Sequence, residues 1–320
     1  MAVLAAVTVL SIVIGTKSIP LGTVRDAFFT QGAESEDVRI ILDLRVPRTV
    51  IGLAAGIALG LAGALMQALT RNPLADPGIL GINAGAATAV VLAIRVLGIS
   101  SLTGYIWFAF AGAAGAFLVV YLLGTRGRAG ASPERLALAG AAIGAALLAV
   151  TNAVALLDVV TFDRYRLWTV GALSGRGLDV FWSVAPFILV GVLLTLGLGP
   201  SLNVIALGED TARALGANLN RTRVLAAVAV TLLCGAATAA VGPIAFVGLA
   251  VPHIARTLVG PDQRWLLPYS LVLAPTLLLL ADIVGRVVAR PGEVQAGLVT
   301  AFLGAPIFIA VILRRRIVPL

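Results

Sequence analysis

The apolar runs of this chain are apolar on every side, and that property restricts its fold more than any other. Stretches such as 48–69, 102–124 and 180–199 carry leucine, alanine, glycine and valine with no polar stripe repeating every 3.6 residues. A helix of that kind has no face to give to water, so it belongs in a bilayer. Of the 320 residues, 60% are apolar and 12% are charged, about half the charge that a water-exposed surface needs. A mean hydropathy of +1.05 points the same way. The chain therefore reads as an all-α, polytopic membrane bundle that forms one domain over 1–320.

The runs predict about ten transmembrane helices, near 1–15, 48–69, 79–98, 102–124, 136–157, 180–199, 224–241, 244–259, 266–285 and 296–313. Several fall short of the roughly 20 residues that a perpendicular span needs, which implies tilt, breaks or burial inside the bundle. The first run lacks a basic n-region and a small-residue cleavage site, so it reads as a span and not as a signal peptide. Gly52, Gly56, Gly60 and Gly63 line one stripe, and Gly140 and Gly144 repeat the spacing, as close helix packing requires. Pro186, Pro243, Pro252, Pro275 and Pro306 mark kinks or breaks whose freed carbonyls need partners within the bundle. Among the polar connections, 203–223 has the pattern of a short helix outside the membrane. Glu209 and Asp210 stand at its start, and Gly216 follows its last turn.

Orientation is not decided by the arginines. With a cytoplasmic N-terminus, about twelve Lys/Arg lie inside and about eleven outside, too even for the positive-inside rule. The net charge of +8 is spread over helix ends, and no basic block carries interleaved aromatics, so nucleic acid is excluded as a partner. The one lysine, Lys17, lacks the glycines of a P-loop, since Ser11 and Thr16 stand in their places. Most acids sit at segment ends; Asp282, with Arg286 four residues on, reads as a charge pair at a helix end. His253 is the single histidine and Cys234 the single cysteine, which leaves no metal cluster, no catalytic triad and no intrachain disulfide to expect. The chain does not read as an enzyme, and no cofactor is called for.

The sequence resembles the FecCD-type permeases of bacterial ABC importers, which carry ferric siderophores, haem or cobalamin. The resemblance runs from about Arg45 to Arg314. It is carried by LRVPRTVIGLAAGIALGLAGALMQALTRNPLADPGILGINAGA (Leu44–Ala86), LWTVGAL (Leu167–Leu173), LNVIALGEDTARALG (Leu202–Gly216), GPIAFVGLAVPHIAR (Gly242–Arg256), ADIVGR (Ala281–Arg286) and GLVTAFLGAPIFIAVILRR (Gly297–Arg315), in that order and spacing. It implies a type II importer permease with ten helices per subunit and cytoplasmic termini in the bacterial plasma (inner) membrane. It also implies a second permease subunit, two separate ATP-binding cassette ATPases and an extracytoplasmic substrate-binding protein as partners, with membrane lipid around the spans. Leu207, Gly208, Glu209, Asp210, Arg213, Leu215 and Gly216 then match the cytoplasmic coupling helices, about 207–220. Arg45, Arg48 and Arg286 match the arginines that receive glutamates of the binding protein. Where the family has a Glu-Leu-Pro-like step before the last helix, this chain has Glu293-Val294-Gln295. The expected function is translocation of an iron complex, with ferric siderophore first and haem or cobalamin as alternatives within the family. An ion-coupled secondary carrier is the alternative of another class.

Overall fold

The fold is described by a computed structural model that covers residues 1–30, 35–99, 101–125 and 133–313. The basic stretch within 125–135 and the C-terminal Arg314, Arg315 and Arg316 fall, in part or whole, outside the described residues. Among the described residues every regular element is helical: α1 (Ala2–Val13), α2 (Leu21–Phe29), α3 (Glu36–Arg39), α4 (Val46–Thr70), α5 (Ile82–Leu97), α6 (Leu102–Thr125) and α7 (Pro133–Leu156) form the first half. The second half holds α8 (Val159–Thr169), α9 (Leu178–Ala206), α10 (Glu209–Ala214), α11 (Leu219–Val241), α12 (Val247–Val259), α13 (Gln263–Val288) and α14 (Ala296–Leu313).

Among the described residues, α4, α6, α7, α9, α11 and α13 are long and apolar enough to cross a membrane, and α1, α5, α12 and α14 are shorter apolar helices. These ten correspond, run by run, to the ten expected spans. Two additional helices, α2 and α8, occupy the connections before α4 and before α9. A π-helical turn over Ile40–Arg45 leads α3 into α4, so that helix continues without a break from Glu36 to Thr70.

The centre of the bundle follows from the glycines. In α4, 78% of the most apolar window is buried, and in α11 72%, against 11% in α7. Gly56 lies against the backbone of Pro275 in α13, and Gly60 against Ala274 and the Ser270 carbonyl. Gly63 meets the Gly248 backbone in α12 so closely that a Cβ there would stand 2.0 Å from the Gly248 carbonyl oxygen. Without a side chain on either helix the two backbones touch, and dispersion replaces the hydrophobic drive that lipid does not supply. Gly144 in α7, by contrast, has open space around it.

The expected break at Pro243 separates α11 from α12. Gly242 takes φ +78°, and a Cβ there would lie 2.2 Å from the Trp168 carbonyl oxygen, so the turn admits only glycine. The freed Val241 carbonyl accepts the Ala172 N–H at 2.8 Å, which meets the requirement that backbone groups at membrane depth be satisfied inside the protein.

The two glycine environments predict opposite outcomes. Gly63→Ala should lower the thermal midpoint of the detergent-solubilised protein by the equivalent of about 1–3 kcal/mol, the usual cost of overpacking. Gly144→Ala should leave it unchanged.

Candidate functional site

The residues singled out in the sequence gather at opposite ends of the bundle. Arg45, Arg48 and Arg286 meet at the end where α1 and α13 finish and α4 begins. Leu207–Gly216 lies at the end where α4 and α9 finish and α11 begins.

At the arginine end, Asp282 is the point of convergence. Its carboxylate is fully buried and accepts from Arg48 Nε (3.0 and 3.1 Å) and Nη2 (2.7 Å) on α4. It also accepts from Arg286 Nε (3.0 Å) and Nη2, one helical turn on along α13. Glu293, in the α13–α14 connection, takes Arg48 Nη1 at 2.7 Å. The remaining donors of Arg286 hold the end of α1: Nη1 donates to the Ser11 and Ile14 carbonyls, and Nη2 to the Ser11 hydroxyl. Arg45 does the same work from the π-helical turn. Its Nη1 donates to the Ile12 and Val13 carbonyls and its Nη2 to the Lys17 carbonyl. Arg290 adds a bond to the Gly15 carbonyl at 2.7 Å.

The last carbonyls of a helix have no intrahelical partner, and here the arginines supply one to almost every carbonyl in sequence. All three expected arginines are therefore buried, with Arg45 5%, Arg48 9% and Arg286 1% exposed. They still line a common cavity of about 640 Å³. Its other walls are the α1–α2 connection, the loop Ser174–Gly177 and Pro291–Glu293.

At the opposite end, α10 spans only six residues, with Gly208 (φ +101°) before it and Gly216 (φ +79°) after it. A helix so short is not stable by itself. It is held by a small apolar cluster of Ile205, Ala212 and Leu219 and by the Glu209 carboxylate, which accepts from Arg223 of α11 and from Arg213 Nη2 at 3.0 Å. Arg213 also bonds Asp210 at 3.2 Å. Leu207 and Leu215, 62% and 63% exposed, stand on either side of the helix as uncovered apolar knobs. Beneath it a cavity of about 70 Å³ is lined by Met66, Leu69, Phe117 and Tyr121, with Arg71, Glu209 and Arg223 also in its wall.

Sequence reading finds the Asp282–Arg286 pair from its i,i+4 spacing. It does not find Arg48–Asp282, 234 residues apart, nor Arg223 as the partner of Glu209. The step Glu293-Val294-Gln295 was marked in the sequence for lacking the family's proline, and the bond from Arg48 gives its glutamate a physical task.

Two outcomes follow. Asp282→Asn leaves buried Arg286 with no carboxylate and Arg48 with Glu293 alone, and should cost about 3–5 kcal/mol in the detergent-unfolding midpoint; Glu293→Gln, at the partly exposed rim, should cost far less. At the other end, the hydrogen bond from Arg223, helped by the charges of Arg213 and Arg71, holds the Glu209 carboxyl below the usual glutamate range against the opposing effect of burial. The stability this pair gives is thus fully present above the ordinary glutamate value of about 4.3 and is lost as pH falls below it. Hydrogen exchange of the α10 amides, corrected for intrinsic rate, should be flat from neutral pH to that point and rise beneath it. Glu209→Gln should remove the dependence.

Comparison with known proteins gives these ends a context. Residues 3–314 match the model of the FecCD transport family. The chain is 50% identical to the ferric enterobactin transport system permease protein FepD of Escherichia coli (strain K12), over 96% of this chain and 92% of that protein. It is 42% identical to the Fe(3+)-citrate import system permease protein YfmD of Bacillus subtilis (strain 168), over 86% of this chain and 81% of that one. A solved structure described as an inward-facing conformation of a metal-chelate type ABC transporter superposes with a TM-score of 0.86 at 27% identity, covering 98% of this chain and 97% of its own. A match over nearly the whole length, by sequence and by fold, leaves one assignment: this chain belongs to the FecCD transport family.

Proposed function

We infer that the chain is the permease subunit of an ABC importer in a bacterial inner membrane, and that its cargo is a ferric siderophore. The observation that carries this reading is the 50% identity, across almost the entire chain, to a permease named for ferric enterobactin. The Fe(3+)-citrate permease among the relatives keeps the substrate class to iron chelates.

The two ends of the bundle suit the two kinds of partner that such an importer needs. A chain with no P-loop takes its energy from a separate ATPase, and we read α10 as the element that receives it. Leu207 and Leu215 offer apolar knobs, while Glu209, Asp210 and Arg213 offer a charged ridge between glycine hinges. Movement of α10 passes directly to α9 and α11, which it joins, and α11 is among the most buried spans. At the outer end, the cavity lined by Arg45, Arg48 and Arg286 is proposed to receive acidic side chains of an extracytoplasmic binding protein. The thinly covered α7 leaves room on that side for a second permease subunit around a shared path.

Transport in proteoliposomes tests the reading as a whole. With the complete complex, the binding protein and a ferric siderophore outside, uptake should require ATP inside; full-rate uptake without ATP or without the ATPase overturns it. Within that assay, Leu215→Glu should reduce transport by about tenfold or more while leaving the unfolding midpoint unchanged, since the side chain is 63% exposed.

A further inference from the structure

Phe246, at the break between α11 and α12, is held in the left-handed region at φ +68°, ψ −25°. Glycine takes such a conformation freely, whereas a bulky aromatic residue there is an outlier. As the N-cap of α12 it offers its carbonyl to the Leu249 and Ala250 N–H groups at 3.2 and 2.8 Å. Nothing in Ala245-Phe246-Val247 asks for a left-handed residue, so its surroundings impose the strain.

Those surroundings include α14. A Cβ on Gly304 would stand 2.5 Å from Phe246 Cβ, 2.7 Å from Cγ and 3.1 Å from Cδ1, so the aromatic side chain lies across the bare backbone of that glycine. Two turns earlier the same helix is pinned. Gly297 donates its N–H to the Gly171 carbonyl at 2.9 Å, and a Cβ on Gly297 would lie 2.2 Å from the Val170 carbonyl oxygen. A Cβ on Gly171 would in turn lie 2.4 Å from the Pro243 carbonyl oxygen, in the same break that holds Phe246. Thus α14 has a fixed point at Gly297 and, about 10 Å along its axis, a second contact that is steric and strained. Pro306 follows Gly304 within one turn. It has no N–H to give the Phe302 carbonyl, so the helix is weakened just past the contact. Leu298, Phe302 and Leu303 leave another face of α14 exposed, so a swing of the helix need not first unpack it.

We propose that Phe246 is a strained latch on α14: seated on Gly304 it holds this conformation, and it leaves the left-handed region when α14 swings about Gly297 during transport. This rests on the importer reading given above and names a contact that the transport cycle makes and breaks. Once off Gly304, residue 246 can take helical dihedrals and join the start of α12. The strain raises the latched state toward the released one, so a modest push from the ATPase shifts the population.

The test is fluorine NMR of the complete permease–ATPase complex in nanodiscs, with a trifluoromethyl tag on Phe302→Cys; the native Cys234 is buried. Two resonances are expected, with areas that change when ATP is added. Gly304→Ala should deplete one of them, which marks the latched state, and Phe246→Gly in the same chain should restore it by removing the clashing Cβ. With Gly304 intact, Phe246→Gly should hold about tenfold more of the latched state than Phe246→Ala, because alanine keeps the left-handed penalty and glycine does not. Equal populations in these two variants, or alanine the richer, overturn the latch, as does Gly304→Ala with wild-type areas. The pair at 246 creates no clash, so a roughly tenfold difference between them is still required where Gly304→Ala fails to assemble. If ATP shifts the wild-type areas but the pair at 246 is equal, the latch fails and the importer reading stands. If ATP leaves the areas unchanged and proteoliposomes take up ferric siderophore at full rate without it, the importer reading fails and the latch with it.

Discussion

The carboxylate of Asp282 fixes the arginine end of this molecule. It is fully buried, and it gathers Arg48 from α4 and Arg286 from α13 onto one pair of oxygens. Burying three charges is costly unless each finds its hydrogen bonds, and a half-satisfied set is worse than an apolar core. Here the set closes: what Asp282 leaves open on Arg48 goes to Glu293, and what it leaves open on Arg286 goes to Ser11 and Ile14. Because those last acceptors are the frayed end of α1, the ion cluster also anchors the first span. A twelve-residue helix rises only about 18 Å, well short of the hydrocarbon core. Its polar end therefore lies where water alone cannot be relied on to satisfy it, and the arginines reach it there.

The α10 end is built on the opposite principle. Its ion pairs are largely exposed, its apolar cluster is small, and glycines bound it on both sides. Exposed pairs contribute little to stability, typically about 0–1 kcal/mol each, so α10 is held in place without being locked. Between the two ends runs a block in which α4, α12 and α13 meet backbone to backbone at Gly56, Gly60 and Gly63. Such close-packed helices shift as one body, because no side chain stands between them to repack. A displacement taken up by the loosely held α10 thus reaches a core that moves as a unit and an outer end that is tied by charge.

Much of this was legible in the sequence, for reasons that can be named residue by residue. The ten spans were visible because lipid demands apolar runs, and no tertiary detail is needed to see them. Asp282–Arg286 was visible because helical spacing is local, and α10 because Glu209, Asp210 and Gly216 obey local end rules. The extra helices α2 and α8 were not, since each is a short helix inside a connection that mixes charges with apolar residues. Arg48 and Arg45 were marked by resemblance for a partner outside the chain, while their hydrogen bonds lead to Asp282, Glu293 and the end of α1, residues brought near only by folding. Arg223 was missed for the same reason from the other side: what distinguishes it is a neighbour, Glu209, fourteen residues away in the chain.

That division bears on how a cavity at a membrane surface can serve two purposes. A carboxylate arriving from outside cannot displace Asp282, since doing so would leave a desolvated charge behind and would also strip the cap from α1. Nor can it share Arg286, whose donors are all engaged. What the buried arginines can give is potential, because the low dielectric around them lets their charge act over the width of the cavity. A rigid cluster of buried charges makes the surroundings positive and keeps their shape. On the proposed docking, the field that meets a partner comes from the same buried ion cluster that closes the end of α1, so a change that weakens one weakens the other.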